Sequence, residues 1–354
     1  MRIPYLDFVP SVAEPSDCAP TAAVVGRTAA GPGLVMRDCA TLRGDGEWVR
    51  VGANGYFGER ATVHIADAML AATIGDDVTV GRFALVHACT VEDGVVVGDA
   101  ALVMDDAHVG PGSLITAGSL VPPRKRLPGG WIYSGYPVTP VREIAAAELA
   151  EAAAAIRHRT PSALVTSNEL PPLTMDAYSR EIDSTAAATR TGRRSPKSYV
   201  APNALVAGEV DIADDASIYF ACAIIAGDGR ISIGPRTNVQ DNSLLVTDAA
   251  RGPLTLGADV TIGHNVRMGP ATIGDHALIG MGSRVGDGVV VEEGGCIGAR
   301  AEVAPGSVIE AGWIWVGSPA FPFRRIKPEE RATFAEGARV YVRYCAAYLG
   351  GGAG

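Results

Sequence analysis

The sequence predicts a mainly β protein with two parallel β-helices in tandem, each followed by an α-helix. Two observations support this: aliphatic residues recur every six positions, and the second half of the chain repeats the first at a constant offset. A period of six matches neither an amphipathic helix, at about 3.6, nor a half-buried strand, at about 2. It is typical of a coil with three short strands per turn. One aliphatic side chain of each strand then points inward, and a small residue occupies each corner.

The six-residue period is clear in both halves of the chain. The first half carries the series Val91, Val97, Val103, Val109, Ile115 and Val121. The second half carries Ile273, Ile279, Val285, Val291, Ile297, Val303 and Ile309. Glycine commonly follows such a position, as in Val80-Gly81 and Ile262-Gly263. We therefore expect each series to form the interior of a β-helix, with glycines at its corners.

The two halves are copies of one another. The sequence Gly-Trp-Ile at 130–132 recurs at 312–314, and Pro137 recurs as Pro319. Both pairs have the same offset (312 − 130 = 182 and 319 − 137 = 182). A shared offset over many positions indicates a tandem duplication, so the two halves are expected to have the same fold.

The domain boundaries follow from the composition. Residues 1–158 form the first predicted domain and residues 197–354 the second, with a Ser-, Thr-, Pro- and charge-rich linker at 159–196. Each domain is expected to end in a helix. Residues 142–158 are rich in Ala and Glu and contain no Gly or Pro. The second predicted helix covers 327–348, and its second residue is a proline, which suits the first turn of a helix.

Charge and composition exclude several classes of function. The net charge of −9 argues against a nucleic-acid partner, because phosphate binding needs clustered Lys and Arg. No apolar run reaches about 18 residues, so no membrane span is expected. The six cysteines contain no C-x-x-C pair, which argues against a thiolate zinc site and favours free, buried or half-buried thiols in a reduced cytoplasmic protein.

Specific motifs resemble the γ-class carbonic anhydrases, a hexapeptide-repeat family. The first half has Arg43-Gly44-Asp45, then His64, then a glycine at 81 ahead of His87. The second half has Asn-Val-Gln-Asp at 238–241 and Gly263-His264. The resemblance implies left-handed β-helices, which wind against the usual crossover rule. It also implies a metal held by three histidines between neighbouring subunits, two from one subunit and the middle one from the other.

The histidines of that family are divided between the two halves. The first half keeps the first and third, His64 and His87, but Arg82 occupies the middle position. The second half keeps only the middle one, His264. Neither half alone could bind metal as the family does, whereas one domain of each kind would supply a complete set. The resemblance therefore implies a composite metal site made by His64, His87 and His264.

The resemblance also supplies catalytic candidates. They are Gln240, Arg43, Asp45, Asn238 and Asp241. Gln240 is expected to orient the nucleophile or the substrate. Arg43 and Asp45 are expected to hold the interface by an ion pair, with Asp241 or Glu59 as candidate partners.

The function that the resemblance implies is hydration of CO₂ to bicarbonate by a metal-bound hydroxide, with Zn²⁺ or else Fe²⁺ or Co²⁺. Three alternatives stay open. One is a hydratase or hydrolase of biosynthesis that acts on a small carbonyl compound. The second is a hexapeptide acyltransferase with His87 or His264 as general base, and the third is a structural homologue without metal. We expect a small-molecule substrate and a homo-oligomer with trimer-like packing of domains.

Overall fold

The computed structural model describes residues 1–160, 162–164 and 192–350. The chain divides into two compact units, Met1–Met175 and Asp176–Gly354, called here unit 1 and unit 2. Each unit is a left-handed parallel β-helix with an α-helix after its last coil. The predicted fold class is thereby confirmed.

The β-helix of unit 1 has three faces of stacked parallel strands. The first face contains Thr62–His64, Leu85–His87, Leu102–Val103 and Leu120–Val121. The second contains Ala72–Ile74, Thr90–Val91, His108–Val109 and Arg126–Leu127. Two long strands, Ala23–Ala30 and Thr41–Val51, continue from the first face to the second, and Arg2–Ile3 and Ser11–Val12 pair with the earlier one. The third face contains Ser16–Cys18, Leu34–Met36, Tyr56–Phe57, Thr79–Val80, Val96–Val97, Leu114–Ile115 and the antiparallel hairpin Trp131–Gly135 and Val138–Glu143.

Unit 2 repeats this arrangement. Its first face contains Leu244–Val246, Arg267–Met268, Arg284–Val285 and Glu302–Val303. Its second contains Leu254–Leu256, Ala271–Ile273, Val289–Val291 and Val308–Ile309, and the long strands are Leu205–Ile212 and Ala223–Ile233. The third face contains Tyr199–Val200, Ser217–Ile218, Asn238–Val239, Thr261–Ile262, Leu278–Ile279, Cys296–Ile297 and the hairpin Trp313–Gly317 and Ala320–Arg325.

The six-residue series form the interior of each β-helix, as predicted. Every member in unit 1 is fully buried, and the most exposed member in unit 2, Val285, is 5% exposed. Burying one such side chain contributes about 1.5–3 kcal/mol. The corner glycines are required by the close stacking of coils. A β-carbon on Gly81 would lie 2.7 Å from the backbone nitrogen of Asp99, and one on its copy Gly263 would lie 2.8 Å from that of Met281.

Both predicted helices are present, and the boundary of the first differs from the prediction. Helix α1 is Ala146–His158 and helix α2 is Pro328–Gly350. The predicted start of the first helix at residue 142 is wrong, because the strand Val138–Glu143 extends through that position. Pairing with the preceding strand satisfies the backbone there, so the helix begins only after the hairpin.

The start of each helix is held by the same pair of side chains. The guanidinium of Arg142 donates to both carboxylate oxygens of Glu148 (3.0 and 2.8 Å). Arg324 and Glu330, at the duplicate positions, make the same pair (2.7 and 2.6 Å). This ion pair ties the end of the hairpin to the first turn of the helix in both units.

The cysteines largely follow the prediction. All six are free thiols; Cys89, Cys222, Cys296 and Cys345 are buried and Cys39 is half-buried. Cys18 is exposed, so for this residue the expectation of burial is wrong. It lies on Ser16–Cys18, the first strand of its face, where no earlier coil of that face covers it.

Among the described residues, neither helix combines the length and the apolar character that crossing a membrane requires. The segment predicted as a linker, 159–196, falls mostly outside the described residues.

Candidate metal centre

His64 and His87 lie next to each other on the first face of unit 1. They are partners in parallel register, and Arg43 is the register partner of His64 on the preceding coil. Their 23-residue separation (87 − 64 = 23) exceeds one regular coil, and a bulge with a bridge between Ala66 and Leu70 takes up the extra residues. The two imidazole rings are 5.3 Å apart between centroids and inclined by 60°. The bulge therefore brings both side chains to one face.

Each of these two histidines lies against a carboxylate. Nε2 of His64 donates to Oδ1 of Asp45 (3.0 Å), and Nδ1 of His87 donates to Oδ1 of Asp105 (2.5 Å). His64 is 2% exposed and His87 5%. The carboxylates hold the two rings in fixed orientations. Asp105 was missed by the sequence reasoning, although its position 18 residues after His87, about one coil, was a usable signal.

Arg43 and Asp45 form an ion pair within unit 1. The side chains of both are completely buried, and Nη1 of Arg43 donates to Oδ2 of Asp45. A buried charge needs a partner of opposite sign because its desolvation is costly. Asp45 thus connects Arg43 to His64. Glu59, one of the two candidate partners predicted for this pair, forms an ion pair with Arg159.

Cys89, two residues after His87, carries a buried thiol. Burial, reinforced by the charge of Asp105, raises the pKa of the Cys89 thiol. A thiol must lose its proton to act as a metal ligand. The raised pKa therefore favours the neutral thiol, which is a weak metal ligand.

The middle histidine position of unit 1 is occupied by an ion pair. Nε and Nη2 of Arg82 donate to Oδ2 of Asp99 (2.9 and 2.7 Å). In unit 2 the duplicate positions (82 + 182 = 264 and 99 + 182 = 281) are His264 and Met281. A candidate metal ligand in one copy thus corresponds to a charge-paired arginine in the other.

In unit 2, His264 and Asp241 lie together on neighbouring coils. Nδ1 of His264 is 3.1 Å from Oδ2 of Asp241, and both side chains are completely buried. Oδ1 of Asp241 accepts the backbone N–H of Phe220 (2.9 Å). The register pairs Asn238 with Thr261, which brings Asp241 opposite His264 and leaves Gln240 one residue away. Of the candidate residues in unit 2, Asp241 is therefore the one opposite His264.

Asn238 and Gln240 form a short chain of hydrogen bonds. Nδ2 of Asn238 donates to Oγ1 of Thr261 (3.0 Å), and Nε2 of Gln240 donates to Oδ1 of Asn238 (3.1 Å). Gln240 is 4% exposed, and its Oε1 has no hydrogen-bond partner among the residues that the structure describes. A buried acceptor without a hydrogen bond lowers the stability of the folded protein. Asn238 therefore orients the Gln240 amide, and Oε1 remains to accept a hydrogen bond.

The structure thus divides the predicted residues between the units. Unit 1 contains Arg43, Asp45, His64 and His87, and unit 2 contains Asn238, Gln240, Asp241 and His264. All eight are less than 6% exposed. The residues absent from the sequence prediction are Asp105 beside His87 and Asp99 beside Arg82.

Comparison with known proteins relates the chain to one family. No family model matches it. It is 35% identical over 150 residues to gamma carbonic anhydrase 1, mitochondrial, of Arabidopsis thaliana, covering 41% of this chain and 54% of that protein. The chain thus spans about half the length of this plant relative. It is 40% identical over 154 residues to protein YrdA of Escherichia coli, covering 42% of this chain and 83% of that protein.

A solved structure resembles the fold over almost the whole chain. It is that of a candidate acetyltransferase from Desulfovibrio desulfuricans, with a TM-score of 0.53 and 14% identity. It covers 96% of this chain and 79% of the other. At that identity the likeness concerns the fold alone. The sequence relatives carry the assignment, and the chain belongs to the γ-class carbonic anhydrase family of hexapeptide-repeat proteins, as a tandem duplicate.

Proposed function

We propose that the protein is a metal-dependent enzyme of the γ-class carbonic anhydrase type, in which His64, His87 and His264 together bind one metal ion. One observation carries the proposal. A carboxylate oxygen lies within 3.1 Å of a ring nitrogen of each of the three histidines. The site would combine a domain of the first kind with a domain of the second, from one chain or from neighbouring chains.

The donor set fits a divalent metal. All three histidines are buried, and each offers one ring nitrogen. Histidines that bind metal typically donate their other ring N–H to a carboxylate, which fixes the tautomer and makes the ligand nitrogen more basic. Three imidazoles with an open fourth position are the catalytic arrangement typical of Zn²⁺, and Fe²⁺ or Co²⁺ suits the same donors.

Two pairs of residues would serve the reaction, Gln240 with Asn238 and Asp45 with Arg43. A metal in such a site lowers the pKa of water toward about 7 and so supplies a nucleophile for CO₂ at neutral pH. Oε1 of Gln240 would accept a hydrogen bond from that nucleophile and orient it, while Asn238 holds the amide. Asp45 would keep the His64 ring in place, and Arg43 would neutralise Asp45.

The domain organisation belongs to the proposal. We assign 1–158 and 197–354 as the two γ-carbonic-anhydrase-like domains and 159–196 as the linker. The first domain supplies His64 and His87 and the second supplies His264. The composite site therefore requires β-helices of both kinds side by side. We therefore propose a homo-oligomer with trimer-like packing of domains. Six free thiols favour a reducing compartment, for which we propose the cytoplasm.

Metal analysis combined with CO₂ hydration tests the proposal. We expect stoichiometric metal in the purified protein and loss of both metal and CO₂ hydration in His64→Ala, His87→Ala and His264→Ala. His108→Ala is the matched control, because His108 pairs with Glu92 at the surface of unit 1. Equal trace metal in the wild type and all variants would show that the composite site is wrong.

The same measurements separate the alternatives. Metal that is bound through the three histidines, without CO₂ hydration, would favour a hydratase or hydrolase acting on another small carbonyl compound. A protein without metal that transfers an acyl group from an acyl-CoA would favour the acyltransferase. Absence of metal and of both activities would favour a structural homologue.

A further inference from the structure

Unit 2 contains a cavity beneath its C-terminal helix. The cavity has a volume of about 530 Å³ and lies between α2 and the third face of the β-helix. Thr261 and Leu278 form its floor, and Phe334 and Ala338 of the helix form its roof. Sites for small organic molecules have volumes of about 300–1,000 Å³ and are mostly apolar with a few polar groups. The cavity therefore has the size and composition of a small-molecule site.

The duplication shows how the cavity arises. In unit 1 the space beneath α1 is filled by Leu149 and Ile156, which pack in one cluster with Val96 and Leu114. The duplicate positions in unit 2 (149 + 182 = 331 and 156 + 182 = 338) are Arg331 and Ala338. Leu149 and Ile156 are thus replaced by an arginine and a methyl group, while Phe334 stands at the position of Ala152 (152 + 182 = 334) and forms the roof of the cavity.

An arginine on the helix also changes its role between the units. In unit 1, Arg157 donates from Nε and Nη2 to Oγ1 of Thr79 (3.0 and 2.9 Å). Its copy in unit 2 is Arg339, and the copy of Thr79 is Thr261. The Arg339 side chain is 73% exposed and lies 3.4 Å from Glu336. Arg157 covers the floor in unit 1, whereas Arg339 stands at the mouth of an open cavity.

The charges at the mouth favour an anion. Arg331 is exposed and makes no ion pair among the residues that the structure describes, and its Nη2 lies over Gly312 on the cavity wall. The acidic residues on the lining are Asp259 and Glu293. Asp259 is neutralised by two hydrogen bonds from Arg236, so its charge does not oppose an anion. Arginine also binds carboxylates in two-point geometry.

We propose that this cavity binds a small amphipathic carboxylate. The apolar body would lie between Leu278 and Phe334, and the carboxylate would bind Arg331 and Arg339 at the mouth. Glu293 lies on the same lining, and its charge opposes a second anionic group on the ligand. The site lies wholly within unit 2 and is distinct from the three histidines.

Calorimetric titration of the full-length protein with hexanoate tests the proposal. We expect saturable binding with a Kd of about 1 mM, in the range of small fragments, and at least tenfold weaker binding of the neutral hexanamide. Ala338→Ile, which restores the side chain of unit 1, fills the cavity and should abolish hexanoate binding. Arg331→Leu should weaken it by about tenfold or more.

Arg343→Leu is the matched control, because it removes a guanidinium from the same helix outside the cavity lining and should leave hexanoate binding unchanged. Circular dichroism and the melting temperature verify that the variants are folded. If the Ala338→Ile variant does not fold, the binding of hexanoate to Arg331→Leu and the comparison with hexanamide still test the proposal. No saturable binding to the wild type, or equal binding of hexanoate and hexanamide, would overturn the proposal. Equal loss of binding in Arg343→Leu and Arg331→Leu would also overturn it.

Discussion

The space beneath the terminal helix differs between the two units, although the helix begins in the same way in both. Arg142–Glu148 and Arg324–Glu330 are duplicates that hold equivalent hairpin and helix ends. Farther along, Ile156 packs into unit 1, while Ala338 leaves a cavity in unit 2. The interaction that positions the helix was kept, and the packing under it diverged.

The residues of the candidate metal centre also differ between the two units. Unit 1 keeps two histidines with their carboxylates and carries Arg82 at the middle position. Unit 2 keeps His264 with Asp241 and adds Gln240, whose copy in unit 1 (240 − 182 = 58) is Gly58. Duplication allows this because each copy can lose groups that the other supplies.

The largest expected effect concerns the packing under the two helices. Ile156→Ala should destabilise unit 1 by about 3 kcal/mol, because it removes buried methyl groups and leaves a cavity. Ala338→Ile in unit 2 should cost little, because the space already exists. Chemical denaturation of both variants measures the difference, and equal destabilisation by the two changes would contradict it.

The next effect concerns the glutamine that only unit 2 supplies. Gln240→Ala should lower the rate of CO₂ hydration about a hundredfold, by analogy with the loss of one positioned hydrogen-bonding group. Its metal content should not change, because Gln240 is not a proposed ligand. Stopped-flow assays with parallel metal analysis give both readouts. A variant that loses metal would place Gln240 among the ligands instead.

A smaller effect is expected at the carboxylates behind the histidines. Asp45→Asn and Asp241→Asn should each lower metal affinity by about 10–100-fold. The first change weakens the contact that supports His64 in unit 1, and the second weakens the contact that supports His264 in unit 2. Asp99→Asn, beside Arg82 at the position without a histidine, is the matched control and should leave affinity unchanged. Competition with a chelator measures all three, and an equal loss in the control would point to a general structural effect.

The smallest effect concerns the ion pair shared by both units. Hydrogen bonds from Arg142 and Arg324 lower the pKa values of Glu148 and Glu330 to about 2, from an ordinary value of 4.5. Because these pKa values are depressed, the stabilisation is present above about pH 4.5 and is lost as the pH falls toward 2. Glu148→Gln and Glu330→Gln should each have a slightly lower melting temperature than the wild type at pH 6. Near pH 2 the melting temperatures of the variants and the wild type should be equal. A difference that persists at pH 2 would rule out this ion pair as its source.

The family resemblance supplied the candidate residues, and their spacing predicted part of their arrangement. The pairing of His64 with His87 follows from their separation once a bulge is allowed, and Asp105 lies one coil beyond His87. The orientation of the carboxylates could not be predicted. The approach of Asp241 to His264 depends on the lateral register of two coils and on side-chain rotamers, and neither leaves a period in the sequence.

The sequence by itself determined the six-residue interior series, the duplication and the division of histidines between the copies. These are local or periodic properties, because each inward side chain occupies one repeat position. Only the tertiary structure decided which carboxylate contacts each histidine. It also showed that a cavity lies beside Ala338 and Arg331 in unit 2, whereas Ile156 and Leu149 fill the corresponding space in unit 1. The physical reason is that cavity volume depends on how a helix packs against a sheet distant in sequence, and substitutions at a few helix positions alter no pattern along the chain.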